Sequence, residues 1–124
     1  MTPKEFIKYE QSLELKELGF DEPCLATYQY PSKTLVRADA DSDGIKNSNL
    51  FNFISAPLYQ QAFSWFRQKY SIDGFVQIEP LNKKYGYVTY DRKKGNYTES
   101  ERKYTSEQAE LECLKKLIEI VKNK

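Results

Sequence analysis

Histidine is absent from all 124 residues. Its imidazole exchanges protons near neutrality and often ligates metals, so its absence removes the usual general base and a frequent metal ligand. Cysteine is scarce. The two present, Cys24 and Cys113, are far apart in sequence. One sits beside a proline and the other in a helical apolar stripe, so both read as small buried hydrophobes rather than a redox pair. No apolar run approaches a membrane span, so no membrane partner is expected. The formal net charge of +1 gives no global field toward nucleic acid or anionic lipid, and any such attraction must be local. Carboxylate pairs at a catalytic spacing are missing as well. Glu99 with Glu101 falls in a charged loop and Glu107 with Glu110 on a solvated helix. There Glu110 projects toward the apolar arc beside Leu114 and Leu117 and, in the first turn, reads as a rim or dipole contact rather than a tuned acid. The expectation is a protein that is not an enzyme and uses no cofactor.

What is present is an ordinary globular balance, 40% hydrophobic and 30% charged, with 10 tyrosines. The length predicts one domain over residues 1–124. The opening residues lack the apolar core and small-residue site of a secretion signal, so the cytoplasm is the expected compartment.

A first helix is predicted over 9 to 18, ended by Gly19, with Phe20 folding back on Leu15. Thr2-Pro3-Lys4-Glu5 has the form of a capping box, but the apolar positions share no face across a helix that long. Strands follow at 24 to 30 and 34 to 37, joined through Pro31-Ser32-Lys33. Residues 38 to 49 read as a polar loop, and 50 to 54 as a short extended segment. Pro57 opens a strongly amphipathic helix to Tyr70, with Ser55 as its cap. Asp73-Gly74 reads as a turn into strands at 75 to 79 and 84 to 90, and 91 to 103 as a charged loop. A capping box from Thr105 to Gln108 starts the last helix, to 122. The predicted fold is α+β: one four-stranded, mostly antiparallel sheet with helices packed on one face.

Two constellations carry possible chemistry. Asp39, Asp41 and Asp43, followed by Gly44, resemble the opening of a calcium loop. The pattern then breaks, because Leu50 stands where a closing glutamate belongs, so a solvated acidic loop is the stronger reading and no metal site is expected. Lys83-Lys84-Tyr85-Gly86-Tyr87-Val88-Thr89-Tyr90 resembles the strand signature of RNA-recognition-motif proteins, departing from it at Lys84. Alternation places Tyr85 and Tyr87 on one strand face and Val88 and Tyr90 on the other. The alternative function is therefore single-stranded nucleic-acid binding by Lys83, Lys84, Tyr85 and Tyr87, set against a half-buried packing role for both rings.

Tyr9-Glu10-Gln11, Leu15 to Cys24, Ser55 to Phe63 with Trp65-Phe66-Arg67, and Glu110 to Glu119 together resemble small uncharacterised proteins of bacteriophages and prophages of gut-type bacteria. The resemblance implies an accessory phage or prophage protein in a bacterial cytoplasm, and carries over no site residue. With catalytic side chains lacking and tyrosine in excess, the expected function is a non-catalytic binding module for a host or phage macromolecule, most simply a protein partner. Homodimerisation is one form of it.

Overall fold

Gly19 stops the first helix through its backbone. In the computed structural model, which describes residues 3–37, 44–47 and 53–124, Gly19 takes φ 96°. The Phe20 N–H donates to Leu15 O at 2.9 Å and the Gly19 N–H to Lys16 O at 3.0 Å. This is the predicted Schellman closure, and it buries both Leu15 and Phe20. The helix, α1, spans Tyr9–Glu17. Pro3–Glu5 forms a separate 3-10 turn, so the upstream capping-box signal does not extend α1.

The chain divides into two compact units, Met1–Tyr59 and Gln60–Lys124. In the first, β1 (Ala26–Gln29) pairs antiparallel with β2 (Leu35–Arg37) and, on its other edge, with β3 (Phe53–Ser55). Phe6, Ala26 and Ala56 are buried together, with Tyr28, Leu35 and Leu58 packed around them. Part of the predicted polar loop is firmly held. Cys24 and Ile45 exchange backbone hydrogen bonds at 2.9 and 2.8 Å. The buried Asn47 donates to Phe20 O and accepts from Ser55 N–H, both at 2.8 Å. Ser55 is a strand residue whose hydroxyl donates to Ile45 O, and this replaces its expected role as a helix cap.

The helix α2 (Tyr59–Tyr70), which belongs to the second unit from Gln60 on, buries Ala62, Phe63, Trp65 and Phe66. Ser71, at φ 59°, turns the chain directly into β4 (Ile72–Ile78). Asp73-Gly74 is therefore strand and not a turn. β5 (Tyr85–Asp91) is central, flanked by β4 and by β6 (Asn96–Glu99), both antiparallel. β6 occupies what read as a charged loop, since the turn from Asp91 is closed by Gly95 at φ 74°, whose N–H donates to Asp91 O at 2.7 Å. The last helix, α3 (Ser106–Lys122), begins at the predicted reciprocal cap: Gln108 N–H donates to Thr105 Oγ1 at 3.2 Å and Thr105 N–H to Gln108 Oε1 at 3.1 Å. It packs on β4 and β5 and buries Ala109, Cys113, Leu114, Leu117 and Ile118.

The fold is α+β, as expected, but the four-stranded sheet is corrected to two three-stranded antiparallel sheets. Each predicted hairpin keeps its own sheet because a short third strand, β3 or β6, satisfies the remaining edge of its central strand.

Candidate binding face

The β4–β5–β6 register sorts its side chains into two faces. Gly74, Thr89 and Thr98 lie opposite one another across the three strands. A Cβ at Gly74 would meet Leu117 Cδ1 at 2.8 Å and Cys113 Sγ at 3.0 Å, so this row faces α3. By alternation Val76, Tyr85, Tyr87 and Asp91 share that inner face. Asp73, Phe75, Gln77, Val88, Tyr90, Tyr97 and Glu99 project from the outer one.

Tyr85 and Tyr87 do share a face, as their spacing predicts, but it is the face that α3 covers, and both are half-buried. Burial raises the Tyr87 hydroxyl pKa, reinforced by neighbouring Tyr104 and Cys113 and by Glu112 and Glu119 of α3. The two rings thus form no open stacking platform. Lys83 and Lys84 are exposed at the β4–β5 turn; Lys83, at φ 58°, donates its N–H to Glu79 O at 2.8 Å. Asp39, Asp41 and Asp43 lie outside the described residues. Among those described, no group of three or more Cys, Asp or Glu side chains is placed to hold a metal ion, and no helix is long and apolar enough to cross a membrane.

The outer face is different. Phe75, Tyr90 and Tyr97 are 46%, 39% and 59% exposed, while Val88 between them is fully buried. Tyr90 and Tyr97 are direct cross-strand partners, and Phe75 stands opposite Val88 on the next row. Sequence reasoning missed this cluster. Tyr90 was marked by alternation, but Tyr97 becomes visible only once β6 is recognised.

Charged side chains bracket the rings at both ends. At one end the Asp73 carboxylate takes Arg67 Nε at 3.0 Å and Arg92 Nε at 3.2 Å, and Arg92 Nη2 also donates to Arg67 O at 2.9 Å. Lys93 and Lys94 follow, exposed in the β5–β6 turn. At the other end Arg102 reaches Gln77 Oε1 at 2.9 Å and Glu79 Oε2 at 3.2 Å. Gly86 makes this crossing possible, since a Cβ there would stand 3.0 Å from Arg102 Cγ and 2.9 Å from Glu101 O. The Tyr97 hydroxyl donates to Glu99 Oε2 at 2.6 Å, which raises its pKa.

Two titratable groups of this unit, Asp91 and Cys113, are buried. Asp91 is buried beside a cleft of about 370 Å³ lined also by Thr89, Asn96, Thr98 and Lys116. Burial opposes its ionisation. Lys93 and Lys94 N–H, donating to Oδ1 at 3.1 and 3.2 Å, and the Lys124 ammonium, 3.4 Å from Oδ2, outweigh that and lower its pKa. Burial and the Glu110 charge push the Cys113 thiol up to about 12, so it stays protonated.

Comparison of the chain with family models, with curated proteins and with solved structures found no match.

Proposed function

We propose that this protein is a non-catalytic binding module, an accessory phage or prophage protein of the bacterial cytoplasm, whose contact surface is the outer face of β4–β5–β6. The observation that carries this reading is the exposed Phe75, Tyr90 and Tyr97 cluster above buried Val88. Aromatic rings lose little conformational freedom when a partner covers them and bring large contact area, which makes them the usual anchors of binding surfaces. The flanking arginines suit the rim of such a surface, because Arg offers several directional donors and stacks on planar groups. The protonated Cys113 and the ion-paired Asp91 support a binding role rather than chemistry.

The test is affinity capture from a bacterial lysate with the tagged protein and with a Phe75→Ser, Tyr97→Ser double variant of matched thermal stability, quantifying both protein and nucleic acid in the eluates. The expected result is a macromolecule retained by the parent and lost by the variant. Identical eluates would overturn the choice of face, and a turnover abolished by one substitution elsewhere would overturn the class.

A further inference from the structure

Resting on the outer-face reading, we propose that the occupant is single-stranded nucleic acid, its unpaired bases stacked on Tyr90, Tyr97 and Phe75 and its phosphates drawn to the Arg67, Arg92, Lys93 and Lys94 end.

Charge selects this occupant. At that end two guanidiniums share the single carboxylate of Asp73, and the adjacent exposed Lys93 and Lys94 add two more cations. With a net charge of only +1 over the whole chain, attraction of a polyanion to this face is a local matter, and this cationic end supplies it. Both arginines are about half exposed, with side-chain values of 49% and 47%, so their remaining N–H donors stay open to phosphate oxygens.

Ring spacing favours a single strand over a duplex. Outer positions two residues apart on a strand are separated by about 7 Å, and direct cross-strand partners by about 5 Å. Successive bases of a duplex rise by about 3.4 Å and keep both faces stacked, so their π surfaces are closed to side chains. An extended single strand opens its bases and spreads them to the spacing of the rings. The rings carry no fixed pattern of donors and acceptors beyond the tyrosine hydroxyls. Tyr97 already commits its hydroxyl to Glu99, so recognition by stacking is tolerant of sequence. The same strand that resembles an RNA-recognition signature thereby presents its opposite side to the ligand.

The experiment is fluorescence anisotropy with fluorescein-labelled single strands of about 12 nucleotides and mixed sequence, one RNA and one DNA, and the matching duplex. The full chain should bind at least one single strand more tightly than the duplex. Tyr90→Ala and Tyr97→Ala should each weaken binding about five- to 150-fold, while Tyr90→Phe and Tyr97→Phe, which keep the π face, retain it. Lys93→Ala and Lys94→Ala should each make the slope of log affinity against log salt shallower by about 0.7. Equal loss in the Phe and Ala variants would overturn stacking, as would an effect confined to Lys83→Ala and Lys84→Ala. Absence of binding to both single strands at low salt would overturn the nucleic-acid inference alone. A partner that is a protein would then appear in the capture comparison as a Tyr97-dependent polypeptide without nucleic acid, and failure of that comparison too would remove the face itself.

Discussion

Gly74 of β4 lies against Leu117 of α3 so closely that a Cβ would come to 2.8 Å of Leu117 Cδ1. This contact, rather than a turn, explains the glycine. With no side chain there, α3 can settle onto the sheet and close its inner face, which leaves the opposite face as the open one.

Replacing Gly74 with alanine should therefore destabilise the protein by about 1–3 kcal/mol through overpacking. Leu117 Cδ1, Cys113 Sγ and Leu117 Cδ2 all lie within 3.3 Å of the new carbon. Chemical denaturation measures the loss, and combining the change with Leu117→Val should cost less than the sum of the two single changes, because the second makes room for the first.

Asp91 gives a pH dependence. Its folded pKa is lowered from 3.8, so its stabilising contribution is present above that unfolded value and is lost as pH falls through the folded one. Asp91→Asn should cost about 1–3 kcal/mol at neutral pH, from the lost charge on the turn N–H groups and on Lys124. The gap between parent and variant should stay constant down to about pH 5 and narrow below about pH 4. Urea unfolding across that range measures it; a gap that widens on acidification would contradict the assigned partners.

The helices were legible because their signals are local. Gly19 with Phe20, and Thr105 with Gln108, encode an end and a start within four residues of chain, and the structure makes both sets of hydrogen bonds. β3 and β6 were not legible as strands of a sheet, because each is short: β3 gains its conformation from β1, distant in sequence, and β6 from the edge of β5 across a charged turn. Asn96-Tyr97-Thr98-Glu99 shows no apolar alternation at all. Asp73-Gly74 misled for a related reason: the pair has turn chemistry, yet the residue with positive φ is Ser71, and Gly74 answers to α3. For the site, the period of two placed Tyr85 and Tyr87 together and Tyr90 opposite. Which face α3 would cover is a tertiary fact that this period does not contain.

Both thiols should be inert in the folded protein. Cys24 is 1% exposed and Cys113 is fully buried. Burial, with the Glu110 charge, moves the Cys113 pKa from 9.0 to about 12. Ellman's reagent at about pH 8 should find no rapid thiol before denaturation and 2 after it. Because the folded pKa is raised, the contribution of Cys113 is complete below the unfolded value and is lost as pH climbs toward the folded one. Between about pH 8 and pH 10.5 the parent should therefore lose more stability than Cys113→Ala.

Asn47 ties the described piece of the polar segment to the first unit through one donated and one accepted hydrogen bond. Asn47→Ala leaves Phe20 O and Ser55 N–H without that partner, at about 1–3 kcal/mol each. Asn47→Asp keeps the acceptor but loses the donor while ionised. Once protonated it regains an O–H for Phe20 O, so its deficit relative to the parent should shrink on mild acidification. Thermal unfolding of the three proteins at two pH values checks this, and an aspartate deficit that grows on acidification would show that the pairing is wrong.

The outer face carries its own spectroscopic signature. Tyr97 donates to Glu99 Oε2 at 2.6 Å, and this bond is the largest cause of its raised pKa, ahead of burial and the Glu99 charge. Glu99→Gln leaves a neutral acceptor, so the Tyr97 pKa should fall toward the ordinary tyrosine value of 10.0. Ring-labelled tyrosine NMR across an alkaline titration follows that residue apart from the others, with Tyr97→Phe supplying its assignment. Nucleic acid stacked on the ring should move the same signal and exclude water from the hydroxyl, raising the pKa further in the parent. If bound oligonucleotide shifts Tyr85 or Tyr87 while leaving Tyr97 unmoved, contact is on the α3-covered side and the outer face is not where the ligand lies.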